Sequence, residues 1–463
     1  MVFPSPIPGP WPLALIGNLW DIDPKNSFRS MAELADIYGP IYKLRFGGED
    51  RIVVTSYKRI NEVCTRREFV KWPTGFLKQL RDIAGSGLFT AYPHEESWGI
   101  AHRTLSPAFG AVTVKNMLPS PENRIHVVED FSRLTIDTLG LCAMDTRFNS
   151  FYTEGAPHYI QAMTALLGEI QLRSYRPWWM TSLMWEANRR FDANKDTLRS
   201  LAAAVIKQRR SLPRSEQDLI DAMLYGTDPK TGKPLSDDSI INNMITFLVA
   251  GHETTSGLLS FMLALILQHP QAYTKLQQEI DQVIGTKPIT ADHLKDLSYT
   301  KACIWESLRL QPPAAVFTVT CLEQDSSEKA PVILGGEWEV KPGQTVLIHV
   351  PKLHRDPAIW GDDANEFKPE RMLDEKFSNL PKNCLKPFGN GQRACIGRAF
   401  ALQEATVAIA VLFQNFNFEL ADPDYKISLD QKLAQKPHDF FMFAELRPHR
   451  DAISLQRDIF CGN

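Results

Sequence analysis

The sequence from Pro387 to Gly397 reads Pro-Phe-Gly-Asn-Gly-Gln-Arg-Ala-Cys-Ile-Gly and places one cysteine, Cys395, in a glycine-rich loop. Glycine permits positive φ angles and lets backbone N–H groups approach a bound group closely. The sequence from Arg398 onward has helical periodicity, so Cys395 is expected just before a helix N-terminus, whose positive end favours a thiolate. Arg393 adds a guanidinium that can pair with a carboxylate.

A thiolate in such a loop can serve as a nucleophile, a redox thiol or a metal ligand. No second cysteine lies at Cys-x-x-Cys spacing, which argues against a dithiol couple and a zinc knuckle. The pattern Phe-x-x-Gly-x-Arg-x-Cys-x-Gly, from Phe388 to Gly397, resembles the haem-binding loop of the haem-thiolate monooxygenases, the cytochrome P-450 superfamily. The alternative is a buried structural cysteine in a glycine turn, which is the commoner fate of a lone cysteine.

The composition is that of a large globular protein. Its 463 residues are 44% apolar, and a net charge of -3 gives no reason to expect nucleic acid as a partner. The 7 cysteines, an odd number and widely scattered, do not suggest a disulfide framework and favour a reducing, cytoplasmic location. The N-terminus has neither a basic segment nor an apolar run of signal length, so we expect no transmembrane anchor.

The longest apolar stretch, from Ile245 to Leu267, approaches membrane length. Polar side chains near its middle, among them His252 and Glu253, would be costly inside a bilayer. We therefore expect a helix buried inside the protein, capped by Ser236 and running from about Asp237 to His269.

This helix is interrupted by the motif Ala250-Gly251-His252-Glu253-Thr254-Thr255. Small residues let another group approach the backbone, and a threonine hydroxyl can bond a carbonyl one turn back and open the helix locally. The motif resembles the oxygen-activation motif of the same superfamily, with Glu253 and Thr254 as an acid–alcohol pair. Taken alone it is weak, because a helix kink with a solvated carboxylate has the same residue types.

Two further motifs precede the cysteine loop in the order that the family shows. Glu306-Ser307-Leu308-Arg309 places a carboxylate and a guanidinium three residues apart on a predicted helix, and Pro369-Glu370-Arg371 supplies another arginine. By the resemblance, Glu306, Arg309 and Arg371 form a buried triad beneath the haem. By itself, a carboxylate and a guanidinium three residues apart are common on surface helices. Four motifs in the expected order are far more specific than one.

The resemblance extends from Pro8 to about Phe443 and implies a mainly α protein with small β-sheets. This is the cytochrome P-450 fold, with a triangular helical domain and a β-rich N-terminal region. We expect a single haem-thiolate monooxygenase domain over residues 1–463, with a proline-rich arm at 1–12 and a tail or the start of a linker at 447–463. Local patterns add a hairpin around Gly47 and Gly48 and one long, largely helical segment from Trp178 to Gln208.

The likeness is closest to the haem domains of self-sufficient fatty-acid hydroxylases of bacteria and fungi, and three segments carry it: Ile245 to Phe261, Leu353 to Asp362 and Lys386 to Gln403. Those enzymes continue into a flavin reductase. The resemblance therefore implies electrons from NADPH through an FAD/FMN reductase that is not in this chain. The family pattern also has one more helix of about twenty residues after Leu118, and its absence here predicts exposed apolar surface.

The resemblance assigns roles to the motif residues. Cys395 is the axial ligand of the iron of haem b (iron protoporphyrin IX), and Phe388 tunes electron donation by its sulfur. Arg393, and Trp98 with His102 or Arg103, hold the propionates. The residues expected to contact the haem are Cys395, Arg393, Phe388, Trp98, His102, Gly389, Gly397 and Ala250. Thr254, with Glu253 and water, delivers protons.

The expected substrates are dioxygen and an apolar small molecule. The implied substrate wall is an apolar channel made by Phe76, Leu77, Leu80, Ala84, Phe89, Ala250, Ala314 and Leu433. Phe89 is expected to cover the haem face, or alternatively to be plain core packing. Where some relatives anchor a carboxylate with arginine and tyrosine, this chain has Glu49 and Val53. Arg51 or Arg45 takes their place, or the substrate is a neutral chain.

We expect insertion of one oxygen atom into C–H bonds of an alkyl chain, most simply subterminal hydroxylation of medium- or long-chain fatty acids. A haem-thiolate isomerase or dehydratase is a rival, but such members tend to lose the acid–alcohol pair. A non-enzymatic haem sensor is a second rival, which does not need a long apolar channel.

Overall fold

The computed structural model describes residues 6–448 except 15, 24–25, 47, 106–123, 145, 147, 152–157, 177, 212–217, 323–331 and 432. The helices within this part of the chain are α1 (Ser27–Tyr38), α2 (Tyr57–Thr65), α3 (Phe76–Ala84), α4 (Glu96–Leu105), α5 (Val127–Met144), α6 (His158–Tyr175), α7 (Trp178–Leu183), α8 (Trp185–Ser211), α9 (Leu219–Tyr225), α10 (Asp237–Leu267), α11 (Pro270–Val283), α12 (His293–Asp296), α13 (Ser298–Leu310), α14 (Val350–Leu353), α15 (Pro357–Trp360), α16 (Asp374–Ser378) and α17 (Arg398–Asn415).

The strands are β1 (Ile41–Phe46), β2 (Glu49–Val54), β3 (Phe69–Val70), β4 (Ile125–His126), β5 (Val316–Cys321), β6 (Val332–Leu334), β7 (Trp338–Val340), β8 (Thr345–His349), β9 (Phe416–Leu420), β10 (Leu429–Gln431), β11 (Gln435–Pro437) and β12 (Phe441–Leu446). They form four small sheets in the described residues. The mainly α class with small β-sheets is therefore confirmed.

The largest sheet joins the N-terminal region to the later part of the chain. Its order is β1-β2-β8-β5-β3, with β1 and β2 forming the predicted hairpin and β2 running parallel to β8. Isoleucine and valine side chains fill one face of this sheet, and aromatic and leucine side chains fill most of the other, which suits a buried pleated surface. The smaller sheet β4-β12-β9 pairs the last strand, β12, with β9 on one side and with Ile125–His126 on the other.

The helix α10 is the spine of the core. The Ser236 hydroxyl accepts a hydrogen bond from the backbone N–H of Ser239 at 3.2 Å, as its predicted capping role requires. Among the described residues it is the one helix long and apolar enough to cross a membrane, but 83% of its most apolar window is buried inside the protein. Because α5, α8, α13 and α17 pack around it, we interpret it as a core helix.

The predicted helical segment from Trp178 to Gln208 is broken at Met184, which separates α7 from α8. The Met184 N–H bonds the Thr181 carbonyl oxygen three residues back, at 3.1 Å. The Asn188 side-chain amide donates to the same carbonyl at 2.9 Å. The polar groups of the break are thus satisfied locally, which the hydrophobic pattern did not reveal. The predicted missing helix after Leu118 falls in 106–123, outside the described residues.

Candidate active site

The cysteine loop is held by its own backbone. The Cys395 N–H donates to the Phe388 carbonyl oxygen at 2.8 Å. Gly389 and Gly391 have φ angles of 77° and 64°, a conformation that side chains with a Cβ rarely adopt. Gly397 is the N-cap of α17, so the helix begins just after the cysteine, as predicted. These constraints place the sulfur atom at one fixed position in front of a helix N-terminus.

The Cys395 thiol lines a cleft of about 320 Å³, together with Phe388 and Gly389. Burial raises the pKa of this thiol, while the Gly397 N–H and the cations Lys71 and Arg398 act in the opposite direction. Desolvation of the sulfur therefore outweighs these groups, although the residue itself is exposed at the cleft. A metal cation bound by the sulfur would supply the missing positive charge, because a coordinating thiol is deprotonated.

An aromatic and cationic cluster gathers near this loop. The Arg393 guanidinium lies over the Trp98 ring, 4.5 Å from its centroid, and Trp98 stacks on His102 with 4.9 Å between ring centroids. Arg393 Nη2 donates to the Ala91 carbonyl oxygen at 2.7 Å, whereas Nη1 is buried and has no hydrogen-bond partner among the described residues. Arg103, the alternative to His102 in the predicted cluster, instead pairs with an aspartate, Asp228.

Lys71 is a further cation in this cluster, and sequence reasoning missed it. Its ammonium lies 4.1 Å from the centroid of the Phe89 ring. Burial, with the neighbouring guanidinium of Arg393, lowers the pKa of Lys71 to about 7. No carboxylate of the described chain appears among the groups that act on it. Lys71 sits in a plain loop sequence, so no local signal marks it.

The buried donors in this cluster fit the carboxylates of a haem. Within the described residues, one buried guanidinium nitrogen of Arg393 has no hydrogen-bond partner, and no carboxylate acts on the desolvated ammonium of Lys71. Two propionates would supply both the acceptor and the negative charge. The indole of Trp98 and the imidazole of His102 add donors beside them. Arg393, Trp98, His102 and Lys71 are thus the residues that would hold the propionates, with Cys395 as iron ligand.

The predicted threonine bond in α10 is present, but the predicted interruption of the helix is not, because α10 is continuous from Asp237 to Leu267. The Thr254 hydroxyl donates to the Ala250 carbonyl oxygen at 2.7 Å, one turn earlier in the helix. Both residues are only partly buried, so this turn has an accessible side. Gly251 packs under Leu139, whose Cδ2 lies 3.0 Å from the position a Cβ would occupy. The hydroxyl is therefore fixed by its own helix at a partly open position.

Glu253 belongs to a buried charged cluster. Its Oε1 lies 3.2 Å from Lys436 Nζ and 3.2 Å from His252 Nε2. Burial raises the pKa of Glu253, but Lys436 and His252 together outweigh it and hold the pKa well below its ordinary value. The ionised form is thus stabilised. The ion pairs described for Glu253 are with these two residues, so its route to Thr254 requires water or a side-chain rotation.

Gly257 explains how Lys436 reaches Glu253. A Cβ at position 257 would lie 2.7 Å from the Gln435 carbonyl oxygen, so only glycine lets β11 approach α10 this closely. Lys436 follows Gln435 on that strand, and its ammonium also contacts the Ser132 hydroxyl at 3.0 Å. Sequence reasoning missed Lys436 because the contact joins positions far apart in the chain.

Lys436→Met is expected to make stability pH-dependent. In the unmodified chain the pKa of Glu253 is lowered. Its ionised carboxylate therefore contributes to the free energy of unfolding at every pH above the ordinary carboxyl pKa, and this contribution is constant in the neutral range. Without the ammonium, burial is opposed only by His252, so we expect the folded-state pKa of Glu253 to rise above the unfolded value. The variant should then lose about 2 kcal/mol of unfolding free energy between about pH 5 and pH 8. Urea unfolding at several pH values measures this.

The matched control for this experiment is Lys341→Met, at an exposed lysine. Its unfolding free energy should follow that of the unmodified chain at every pH. Equal pH profiles for Lys436→Met and Lys341→Met would contradict the role given to the Lys436–Glu253 pair.

The three residues of the predicted triad come together beside α13. Glu306 and Arg309 are completely buried and form a bidentate pair with distances of 2.7 and 2.8 Å. Arg371 Nε lies 3.8 Å from Glu306 Oε1, while its Nη2 pairs with Asp363 at 2.6 Å. Arg309 also donates to three backbone carbonyls, those of His354, Ala364 and Glu366. The triad ties α13 to the segment that precedes the cysteine loop.

The predicted substrate wall divides into two groups. Leu80 and Ala84 are each 1% exposed and lie inside the core cluster. The others keep part of their surface accessible: Phe76, Leu77, Phe89, Ala250 and Leu433 are partly buried, and Ala314 is exposed. Leu248 and Val249 of α10 belong to this apolar cluster. Four partly buried residues pack against it: Phe76, Phe89, Leu433 and Ile396, the neighbour of Cys395. The same buried apolar cluster thus underlies the cysteine loop, α3 and α10.

The first hairpin shows how the carboxylate-anchor candidates are placed. Arg45 donates to Asp50 at 2.6 Å, so its charge is already balanced. Arg51 lies 5.3 Å from the Phe46 ring centroid and beside Gly75, at the start of α3. A second cleft, of about 740 Å³, is lined by Arg45, Glu49, Asp50 and Trp72 among others. Of the two arginines, only Arg51 lies against the helix that carries the predicted substrate wall.

This fold and this set of side chains define a haem-thiolate protein. The family model described as cytochrome P450 matches residues 7–442, and the chain belongs to that family.

Its curated relatives include fusion proteins. The chain is 44% identical over 469 residues to the bifunctional cytochrome P450/NADPH–P450 reductase ascE of Acremonium egyptiacum, covering 97% of this chain and 44% of the relative. It is 45% identical to a bifunctional cytochrome P450/NADPH–P450 reductase of Aspergillus oryzae, with 98% and 42% covered. It is 43% identical to the self-sufficient cytochrome P450 monooxygenase CYP505E5 of Aspergillus kawachii, with 97% and 44% covered. The chain thus spans less than half the length of these relatives.

Proposed function

We propose that this chain is the oxygenase part of a monooxygenase that hydroxylates subterminal carbons of medium- or long-chain fatty acids or related alkyl compounds. The observation that carries the proposal is that Ile396, beside the thiol, packs against the same apolar cluster as Phe76, Phe89 and Leu433, all four being partly buried. An alkyl chain can lie along such apolar side chains without leaving a polar group unpaired. The relatives described as self-sufficient monooxygenases support the reaction class.

The overall reaction balances as R–H + O₂ + 2 e⁻ + 2 H⁺ → R–OH + H₂O. We propose that the electrons come from NADPH through an FAD- and FMN-containing reductase, because reductase fusion is named in the relatives. Haem, when bound at Cys395, supplies the redox chemistry that activates dioxygen. We propose a cytoplasmic location, with the cysteines reduced; all six that the structure describes are free.

The residues of this chain supply binding, shape and protons. Arg393, Trp98, His102 and Lys71 hold the cofactor carboxylates, and the apolar surface excludes water. The Thr254 hydroxyl, held by the Ala250 carbonyl, is placed to hold a proton at the partly open turn of α10. The Glu253 carboxylate, kept ionised by Lys436, takes a proton from solvent and passes it through water to the Thr254 oxygen, which replaces the proton that the hydroxyl has given up.

Thr254→Ala is expected to separate electron use from hydroxylation. The haem-loaded chain, supplied with a separate reductase, NADPH and dodecanoic acid, should yield hydroxydodecanoic acids by mass spectrometry. In the variant, product formed per NADPH should fall by about tenfold or more, because the proton-holding hydroxyl is gone. Hydrogen peroxide should account for the difference. The control Thr274→Ala removes an exposed helical threonine and should leave coupling unchanged.

Full coupling in Thr254→Ala would remove the proton-holding role. A chain that binds haem through sulfur and rearranges a fatty-acid peroxide, but forms no alcohol from NADPH and dioxygen, would be an isomerase instead. A haem-loaded chain with no turnover under either condition would be a sensor.

A further inference from the structure

The loop that follows α3 sits directly on the central helix, α10. We call residues 85–90 the seated loop. A Cβ added at Gly85, whose φ is 48°, would lie 2.4 Å from Asn242 Nδ2. A Cβ added at Gly87 would lie 2.5 Å from Thr246 Oγ1 and 2.9 Å from the Asn242 carbonyl oxygen. Only glycine at both positions therefore lets the loop approach α10 so closely.

Asn243 supplies the hydrogen bond that joins the seated loop to α10. Its Oδ1 accepts from the Leu88 N–H at 2.8 Å, and its Nδ2 donates to the Ser239 carbonyl oxygen at 2.8 Å. Asn243 is 0% exposed. Burial of an amide is costly unless its oxygen and its nitrogen are both paired, as they are here. The nitrogen thus holds the side chain to its own helix while the oxygen holds the loop.

The seated loop keeps its shape through bonds of its own. The N–H groups of Thr90 and Ala91 donate to the Gly87 carbonyl oxygen at 3.0 and 2.9 Å. The Thr90 hydroxyl donates to the Gly85 carbonyl oxygen at 2.8 Å. Among the hydrogen bonds of the described residues, the Asn243 bond is the one that joins this loop to α10. Asn243 therefore determines where the loop sits along the helix, not how the loop is folded.

Phe89 is the substrate-wall residue whose position depends on this bond. Leu88 is 7% exposed and belongs to the same core cluster as Leu248 of α10, and Phe89 packs against that cluster while staying partly buried. The centroid of the Phe89 ring lies 4.1 Å from the Lys71 ammonium. The ring thus stands between the cationic cluster and the apolar side chains, and its neighbour Leu88 is the point at which the loop is anchored.

The anchor and the partly open turn lie along one side of α10. Asn243, Thr246 and Ala250 follow one another at spacings of three and four residues, which places them on one face of a helix. With a rise of about 1.5 Å per residue, Asn243 precedes Ala250 by about 10 Å. The Ala250 carbonyl oxygen accepts the Thr254 hydroxyl. The seated loop therefore lies beside the part of α10 that the proposed reaction uses.

We propose that Asn243 determines which carbon of an alkyl substrate is hydroxylated. By holding the Leu88 N–H, it fixes the point along α10 at which the Phe89 ring crosses the substrate surface. That point limits how far the end of an alkyl chain can advance. Because Asn243 is completely buried, it acts through Phe89 and is a positioning residue. This inference rests on the proposed hydroxylation of alkyl chains.

Asn243→Leu tests the proposal in the haem-loaded chain with a separate reductase, NADPH and dodecanoic acid. Leucine keeps the approximate size but accepts no hydrogen bond, so the Leu88 N–H loses its partner. The ratio of the most abundant hydroxydodecanoic acid isomer to all the others should fall by about threefold or more. All isomers come from the same folded molecules, so a smaller folded fraction leaves this ratio unchanged. Without reductase, amide hydrogen exchange of residues 85–91 should be about fivefold faster or more.

Asn415→Leu is the matched control. Asn415 is also a buried asparagine, 6% exposed, at the end of α17. Its side-chain amide donates to the Val411 carbonyl oxygen at 2.6 Å, one turn back, just as the Asn243 amide donates to Ser239. This variant should keep both the isomer ratio and the exchange rate of the unmodified chain.

Gly87→Ala disturbs the seated loop while Asn243 stays in place, and it decides the question if Asn243→Leu does not fold. The added Cβ should push the loop off Thr246 and lower the isomer ratio, whereas Gly168→Ala, with no atom within 4 Å of its Cβ, should not. Unchanged exchange in Asn243→Leu, or faster exchange with an unchanged isomer ratio, would overturn the role of Asn243 and leave the proposed function intact. If the unmodified chain formed no hydroxydodecanoic acid, the proposed function would fail and this inference with it.

Discussion

Cys395→Ala is expected to abolish the strongly red-shifted Soret band of the dithionite-reduced, carbon monoxide-bound protein, and hydroxylation with it. The loop from Phe388 to Gly397 places a single sulfur atom before α17, and the backbone bond from Cys395 to Phe388 fixes its position. Alanine removes the only atom of this residue that can bind iron, whereas the donors at Arg393 and Lys71 remain. The variant should therefore retain part of its haem, with a spectrum typical of iron that lacks a thiolate ligand.

Cys384→Ala is the matched control for this experiment. Cys384 lines the same cleft but is 1% exposed, and burial raises the pKa of its thiol to about 11. Its removal should leave the red-shifted band in place. A normal band in Cys395→Ala would show that another group binds the iron and would remove the basis of the proposed site.

Much of the fold could be predicted from local patterns. A long run of apolar residues at helical spacing marks α10, with its Ser236 cap, and the helix after Cys395. Glycines at the turn mark the first hairpin. The division at Met184 could not be predicted, because apolar periodicity continues across it. What ends α7 is a side-chain bond from Asn188 to the Thr181 carbonyl, and Asn188 lies in the following helix.

The residues of the candidate site that lie in short sequence motifs could be predicted. Those that reach the site from distant parts of the chain could not. Cys395, Arg393 and Thr254 stand in short patterns with a chemical reason for each residue type. Lys71 and Lys436 lie in no such pattern, although the positive charge of each acts on a residue of a motif. Lys436 reaches Glu253 because Gly257 lets a distant strand approach. Such contacts depend on tertiary packing, and one sequence contains no local record of them.

The predicted wall residues differ in burial, and this difference limits which of them can contact a substrate. Leu80 and Ala84 are buried in the core, so they would support the proposed substrate surface from beneath and not contact the substrate. Phe89 is partly exposed, and its ring carries the Lys71 ammonium. It therefore links the apolar surface to the cationic cluster. A substitution of Phe89 should therefore affect both the path of an alkyl substrate and the binding of the haem carboxylates.

Arg309→Lys is expected to prevent stable folding, even though the charge is kept. The guanidinium is completely buried, pairs with both oxygens of Glu306 and donates to three backbone carbonyls. A lysine has one ammonium and cannot serve these partners together. An incompletely paired buried carboxylate costs about 3–5 kcal/mol, and each orphaned carbonyl adds about 1–3 kcal/mol. These costs approach the total stability of a typical protein, roughly 5–15 kcal/mol.

Soluble yield, haem content and the urea midpoint measure this effect. Arg29→Lys is the control, because Arg29 forms the same kind of pair with Glu33 on a surface helix, where the side chains are 75% and 60% exposed. That change should alter stability by less than about 0.5 kcal/mol. Glu306→Gln/Arg309→Met should recover only part of the loss, since it removes both buried charges but leaves the carbonyls of His354, Ala364 and Glu366 without their donor. If the double variant were as stable as the unmodified chain, the carbonyl contacts would contribute little. If Arg309→Lys folded normally, the triad would not be what joins α13 to the cysteine loop.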